Sequence, residues 1–358
     1  MLFIFALLNG LLLLATFITL WRYEAWWVRG WDFPRLQVAV VAASVLLLQL
    51  MLLDFSASVS LVLAGLTVLC RVYQLWWIAA YTPFFPVEVK LAPGDDANNT
   101  ISIMTANVLT TNKNAAGLLR EVHQWRPDIL VTLETNAWWQ QQLDVLGADY
   151  PYTIKCPLEN LYGMHVYSRL PLEDSAIQFL IEPNIPSMHA LAILPSGQQV
   201  RVHFLHPAPP SPSENEESTE RDAELLVVAK SVVDAELPVI VAGDLNDVAW
   251  SATTRLFRKI SGLLDPRVGR GMFNSFHADY WCVRWPLDHL FHSDHFMLKD
   301  IRRLPSFGSD HFPMLITLVY SPAQSVKQDG PESSASEEAW ADEKIAAQPA
   351  REVHQPKA

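Results

Sequence analysis

The chain has 358 residues, half of them hydrophobic, and carries 26 Lys and Arg against 38 Asp and Glu, a formal net charge of −12. That balance excludes a strongly basic nucleic-acid binder, although a small basic groove fits inside an acidic chain. The three cysteines, Cys70, Cys156 and Cys282, lie far apart, which excludes a disulfide framework and a cysteine-based zinc site.

The hydrophobic excess sits at the N-terminus. Residues 2–20 and 36–53 carry no charge, and a third apolar run over 55–70 continues past Arg71 and Gln74 into Trp76-Trp77-Ile78-Ala79-Ala80. Crossing a bilayer takes roughly 20 apolar residues, so spans are expected at about 2–21, 36–54 and 57–80, in a transmembrane region covering 1–81. A cleaved signal peptide fits the first run poorly, because a basic leader and a small-x-small cleavage site are missing and two more apolar runs follow. Trp21, Trp26, Trp27, Trp31, Trp76 and Trp77 flank the runs as an interfacial belt does. With three spans, Arg22, Arg29, Arg35 and Lys90 fall on the side of the C-terminal domain, and the other side has no Lys or Arg. The positive-inside rule then places that domain in the cytoplasm, on a multi-pass plasma (inner) membrane protein.

A Pro-, Asp- and Asn-rich linker over 82–99 leads into alternating strand and helix patterns. Helices are expected over 115–125 and 138–146, from apolar spacing such as Leu118, Leu119 and Val122. Strands are expected over 101–105, 129–133, 164–168, 189–194 and 200–206. A helix over 221–235 and strands over 238–242 and 314–320 complete an α/β domain spanning 100–320. From 321 to 358 the composition turns to Gln, Ser, Glu, Lys, Ala and Pro, and a disordered tail is expected.

Polar residues gather where these strands end. Asn107 follows the first, Glu134 the second, and His206 ends the strand over 200–206. Gly243-Asp244-Leu245-Asn246-Asp247 follows the apolar run 239–242, Asp288-His289 opens another apolar run, and Ser309-Asp310-His311-Phe312-Pro313 precedes the last strand. A carboxylate and an amide side by side at a strand end suit a water and a phosphate oxygen held against a hard cation. Each residue taken singly also has a structural reading: Asn107 as a turn, Glu134 as a solvent-facing acid, His206 as a strand end, Asp288-His289 as a surface pair, Asp310-His311 as a turn. Their succession in one order favours a shared site.

In that order the segments resemble the endonuclease/exonuclease/phosphatase (DNase I-like) superfamily of metal-dependent phosphoesterases, over about residues 100 to 320. The resemblance implies a four-layer αββα sandwich behind the three-helix transmembrane region. It assigns Glu134 and Asp310 to a Mg²⁺ (or Mn²⁺) ion, Asp244 to the attacking water, Asn107 to a phosphate oxygen or the metal shell, and Asn246 to the water or a phosphoryl oxygen. His206 and His311 become donors to the phosphoryl group, with Asp288 orienting His311. Gly163 to Leu172 matches a further segment of the superfamily, where Arg169 reads as structural. Arg221 reads as a helix-start charge or a phosphate contact. The three spans resemble membrane-anchored bacterial members, some of them associated with polyprenyl pyrophosphate turnover, whose domain faces outward; that conflicts with the charge count.

The function expected is a membrane-anchored, Mg²⁺-dependent phosphoesterase acting on a phosphate ester or pyrophosphate near the membrane. Its substrate would be lipid-linked or a small molecule. The alternatives are a membrane-tethered endonuclease or exonuclease, whose partner would be nucleic acid, and a non-catalytic scaffold. The sequence leaves the oligomeric state open.

Overall fold

The computed structural model describes residues 1–233, 235–322 and 328–354. The N-terminal region holds helices α1 (Leu2–Phe17), the short α2 (Trp26–Arg29), α3 (Arg35–Leu52) and α4 (Ser58–Ile78). Three helical segments, Leu2–Leu20, Arg35–Leu52 and Ser58–Tyr81, are long and apolar enough to cross a membrane. They pack through Phe5, Leu12, Val38, Ala42, Val45, Leu63 and Cys70, while Phe3, Leu7, Leu48 and Val62 point outward unburied. Apolar outward faces suit a hydrocarbon surround. Polar groups inside the bundle find one another, as lipid would demand: Thr67 Oγ1 lies 3.0 Å from both Asn9 Oδ1 and Gln49 Oε1.

The C-terminal part is built on two sheets. Strands β1 (Thr100–Asn107), β2 (Ile129–Leu133), β3 (Tyr152–Cys156), β4 (Met164–Ser168), β10 (Phe296–Arg303) and β11 (Met314–Tyr320) form one, in the order β10-β11-β1-β2-β4-β3. Strands β5 (Leu172–Gln178), β6 (Ser187–Ile193), β7 (Gln199–Leu205), β8 (Val239–Asp244) and β9 (Asp288–His292) follow in order in the other. Strand alternation sorts the side chains into layers. Ile101, Ile103, Val131, Val166, Val202, Phe204 and Ile240 fill the space between the sheets. On the outer face of the first sheet, Met104, Ala106 and Leu130 meet α5 (Ala115–Trp125) and α6 (Ala137–Leu143). On the outer face of the second, Val239 and Val241 meet α7 (Thr219–Ser231), α8 (Ala252–Ser261) and α9 (Ala335–Ala346). The result is the αββα sandwich. Helix starts are set by side-chain caps, Asn114 on Gly117 N–H, Asn136 on Trp139 N–H and Ser251 on Thr254 N–H.

The tail departs from expectation. Residues 323–327 and 355–358 lie outside the described residues, but α9 folds and packs where disorder over 321–358 was expected. Its start carries a Ser334/Glu337 capping box. Ala341 is buried against α7 and α8, and Lys344 sits between Asp222 and Glu24. Strong helix formers and a few well-placed contacts outweigh a polar composition here.

Residues between and after the apolar helices are fastened to the sandwich. Trp26 N–H donates to Glu216 O and Ser218 N–H to Glu24 O, both at 2.9 Å. Trp250 Nε1 donates to Asp32 O at 2.7 Å, and Tyr81 Oη to Ala249 O at 2.8 Å.

Candidate active site

Parallel pairing of β1 with β2 and of β7 with β8 delivers four strand ends to one edge of the sandwich. Asn107 ends β1, Glu134 follows β2, His206 follows β7 and Asp244 ends β8. Strand β9 runs antiparallel to β8 with Asp288 opposite Asp244, so Asp288 enters at that edge. The segment before β11 brings Asp310 and His311. All eight candidate residues therefore gather in one place. Glu134, His206, Asp244, Asn246, Asp310 and His311 line a cleft of about 310 Å³, with Asn107 and Asp288 buried behind them.

Asp244 is the hub. Its Oδ2 accepts from Asn107 Nδ2 at 3.3 Å and lies 3.5 Å from His311 Nε2 and 4.0 Å from His206 Nε2. Its Oδ1 accepts from Asn246 N–H at 2.9 Å, tying down a residue whose φ of 51° is left-handed. On the far side of His311, Nδ1 donates to Asp288 Oδ2 at 2.8 Å. Gly243 has φ 146°, and a Cβ there would sit 1.9 Å from Leu205 O, so only glycine lets β8 pass β7 at this point.

Glu134 is positioned by its own turn. Its φ is 60°, its carbonyl accepts from Thr110 Oγ1 at 2.6 Å, and its Oε1 accepts from Asn107 Nδ2 at 2.9 Å. Gly163 clasps the next residue, accepting from Thr135 N–H at 2.9 Å. A Cβ on Gly163 would stand 1.8 Å from Thr135 O.

The electrostatics follow from burial and pairing. Burial pushes Glu134 up to about 7, with Asp310 and Asp244 adding to the rise and Asn107 opposing it. Burial holds His206 down at about 4, so its ring is neutral. Burial also opposes charge on His311, but Asp244 and Asp288 overcome it and hold the ring up at about 10. Asp244 stays below the ordinary carboxylate range despite its burial, because His311 and His206 face it. Burial lifts Asp288 while His311 draws it back; the proton of that pair stays on the imidazole because a second anion faces the other ring nitrogen.

Asp244, Asp288 and His311 offer ligand atoms within 4.8 Å of one another. Both ring nitrogens of His311 already face the carboxylates of that trio, Nδ1 at 2.8 Å from Asp288 Oδ2 and Nε2 at 3.5 Å from Asp244 Oδ2. The neighbouring oxygen set could also hold a cation. Glu134 and Asp310 face the cleft, Asn107 lies behind them, and among the described residues no Lys or Arg lines it. A carboxylate lifted by burial, beside a second carboxylate, fits a hard divalent ion.

Other residues singled out in the sequence sit elsewhere. Arg221 does not reach the cleft. It is buried, with Nη2 on Asp222 at 2.9 Å and Nη1 donating to Asn246 O at 2.8 Å, and so braces the Asn246 turn from behind. Arg169 binds Arg126 O on the surface. His289 bridges Arg267 and Asp247 O, and His203 pairs with His189 at 2.6 Å on the outer face of the second sheet. Sequence reasoning missed Thr110 and Ser275, and read Ser309 only as the neighbour of Asp310 and His311. Ser275 Oγ accepts from the N–H groups of Leu287 and Asp288, and Ser309 Oγ donates to Asn107 O. Single hydroxyls in loops carry no spacing signal. It also missed Phe33, which reaches the cleft from the turn before α3.

Comparisons with known proteins bear on the fold and the family. The human Nocturnin catalytic domain with bound sulfate superposes with TM-score 0.52 at 18% identity, covering 63% of this chain and 97% of that one. An endonuclease/exonuclease/phosphatase protein from Beutenbergia cavernae gives 0.51 at 18% identity, covering 62% and 72%. At such identities the likeness speaks for the fold alone. No curated protein sequence matches. The model of the endonuclease/exonuclease/phosphatase family, whose members are metal-dependent phosphodiesterases, nucleases and phosphatases, matches residues 104–311, more than half of the sequence, and the chain belongs to that family.

Proposed function

We propose that the protein is a membrane-anchored, divalent-cation-dependent phosphoesterase that hydrolyses a phosphate ester or pyrophosphate presented at the membrane surface. The observation that carries this reading is Asp244 at the hub of Asn107, His206 and His311, in a cleft next to the carboxylates Glu134 and Asp310. Glu134 and Asp310 would hold the ion, which supplies Lewis-acid stabilisation of the phosphoryl oxygens. Asp244, ionised at neutral pH, orients a water and accepts its proton as the water oxygen bonds to phosphorus and the P–O bond to the leaving alcohol or phosphate breaks, the leaving oxygen taking up a proton from solvent. His311, held as an imidazolium by Asp288, and the neutral N–H of His206 donate to the non-bridging oxygens as charge grows. Asn246 lines the cleft and holds water or a phosphoryl oxygen.

The absence of Lys and Arg from the cleft lining among the described residues weighs against a long polyanionic substrate. Three helices able to cross a membrane, fastened to the sandwich through Trp26, Asp32 and Tyr81, support anchoring with the cleft held near the bilayer. Arg22, Arg29, Arg35 and Lys90 favour the cytoplasmic side; a C-terminal alkaline phosphatase fusion that is active would reverse that placement.

The test is an activity screen of purified full-length protein with Mg²⁺ or Mn²⁺. Plasmid DNA, sphingomyelin, inositol phosphates, polyprenyl pyrophosphate and bis(p-nitrophenyl) phosphate are the substrates. Cation-dependent turnover of a lipid-borne or small phosphate supports the reading. Preferential turnover of DNA, or no turnover of any of them, contradicts it.

A further inference from the structure

Asn246 is held in place from behind by a series of bonds that ends outside the family domain. Its carbonyl accepts from Arg221 Nη1 at 2.8 Å, its N–H donates to Asp244 Oδ1 at 2.9 Å, and its Nδ2 donates to Pro207 O at 3.0 Å. Arg221 turns its other edge to Asp222, with Nε at 3.1 Å and Nη2 at 2.9 Å from the same oxygen, Oδ1. The second carboxylate oxygen, Oδ2, accepts from Ser218 Oγ at 3.0 Å and from Lys344 Nζ at 2.8 Å. Lys344 belongs to α9 and also donates to Glu24, in the segment between α1 and α2. The other oxygen of Glu24 accepts from Thr219 Oγ1 at 2.7 Å. Lys344 and Glu24 both lie outside residues 104–311, the part that matches the family.

Arg221, Asp222 and Lys344 are all buried, so each charge depends on the next. Burial opposes the charge of Asp222, but Lys344 and then Arg221 hold its carboxyl below the ordinary range. Lys344 has a second effect, on geometry. A carboxylate and a guanidinium pair most strongly when two oxygens meet two nitrogens, yet Asp222 offers Arg221 one oxygen alone. Lys344 keeps the other occupied. With the ammonium gone, Oδ2 can swing into the Arg221 fork, and the guanidinium must turn to meet it. Because the fork is planar and rigid, that turn carries Nη1 off the Asn246 carbonyl.

We propose that Lys344 is a positioning residue of the cleft, which fixes the Asn246 turn through Asp222 and Arg221, so that the C-terminal helix is needed for full turnover. The inference rests on the phosphoesterase reading and goes beyond it by making the site depend on a helix outside the family domain.

The experiment uses full-length protein in detergent with Mg²⁺ and compares wild type, Lys344→Met, Lys344→Arg and Ile154→Ala. Ile154 is buried on the edge strand β3, so its truncation lowers Tm through a cavity without touching the ion series. Two quantities are read well below Tm: kcat and KM for bis(p-nitrophenyl) phosphate, and amide hydrogen exchange over residues 244–250. That stretch reports on the turn, because the N–H groups of Leu245, Asn246 and Val248 donate to Leu287 O, Asp244 Oδ1 and Asp247 Oδ1. Lys344→Met is expected to lower kcat about ten- to a hundredfold with KM little changed, the scale of a displacement of up to about 1 Å. Exchange in the stretch should rise about tenfold, as the loss of one charge-assisted hydrogen bond allows. Lys344→Arg should restore both, and Ile154→Ala should change Tm alone. Lys344→Gln, which keeps a donor without the charge, gives the same comparison if the methionine variant does not fold. Unchanged kcat and exchange in the uncharged variants overturn the inference, and so does an equal loss in Ile154→Ala. If the wild type turns over none of the screened substrates, faster exchange in Lys344→Met upholds the positioning of the turn and counts against the phosphoesterase reading, while unchanged exchange sinks both.

Discussion

Replacing Arg221 by Ala separates two roles that the sequence could not. The guanidinium is buried, bonded to Asp222 at 2.9 Å and 3.1 Å, to Asn246 O at 2.8 Å, and 3.5 Å from Asp247. Its removal leaves Asp247 buried without its main counter-charge, a carboxyl that burial already pushes up to about 6. Asp222 keeps Lys344 at 2.8 Å and suffers less. Breaking a buried pair by deleting one partner costs about 3–5 kcal/mol. For a domain of this size that lowers Tm by roughly 6–20 °C, at about 2–4 °C per kcal/mol. The Asn246 turn, with its left-handed φ, also loses the donor to its carbonyl and shifts. A shift of about 1 Å at a reacting centre costs on the order of a hundredfold in rate. The assay is thermal unfolding of the detergent-solubilised variant alongside kcat and KM for whichever substrate the screen yields. A brace lowers Tm and kcat together. A phosphate contact instead raises KM with Tm unchanged, and that result would refute the placement of Arg221 behind the site.

Glu134→Gln keeps the bond from Asn107 Nδ2 but removes a hard anionic ligand, so the Mg²⁺ midpoint for activity is expected to rise at least about tenfold; an unchanged midpoint takes Glu134 out of the cation's shell. Gly163→Ala forces a Cβ to within 1.8 Å of Thr135 O. It should lower both Tm and activity, whereas Gly147→Ala, with nothing within 4 Å of its Cβ, should be silent in both assays. His165 and His292 are buried and held at about 4. Between pH 6.5 and 4 the unfolded chain binds protons at these rings and the folded chain does not, so stability is full above pH 6.5 and falls on acidification. The loss is up to about 1.4 kcal/mol per pH unit for each ring, read as Tm against pH; His165→Phe should flatten the slope, and a slope of the opposite sign contradicts it.

The site was legible in the sequence because it is made of strand ends. A short apolar run followed at once by Asn, Glu, His or Asp marks a polar residue leaving a sheet, and parallel pairing of β1 with β2 and β7 with β8 carries such ends to one edge. Edge strands were harder to see. Strand β5 reads Leu-Glu-Asp-Ser-Ala-Ile-Gln and lies mostly open to solvent, so it shows little of the alternation that marks a half-buried strand. Helix α8 has a clear buried face in Leu256, Phe257 and Ile260, but Thr, Arg and Lys around them mask it. Helix α9 was taken for disorder because its few anchors, Ala341 and Lys344, act through tertiary contacts with residues far away in sequence. Phe33 could not have been assigned to the cleft from its neighbours, since its place depends on how the turn before α3 docks on the sandwich.

The central claim is that Asp244 works beside a cation held by Glu134 and Asp310. The most direct measurement is phosphate-ester hydrolysis by full-length wild type and Asp244→Asn, each assayed with Mg²⁺ and with EDTA, with Tm recorded for both proteins. Loss of a preorganised electrostatic group costs about a hundred- to thousandfold in rate. The wild type should be active only with the cation, and the variant should fall by that factor with Tm retained. Equal rates for the two proteins, or wild-type hydrolysis that survives EDTA, would contradict the account.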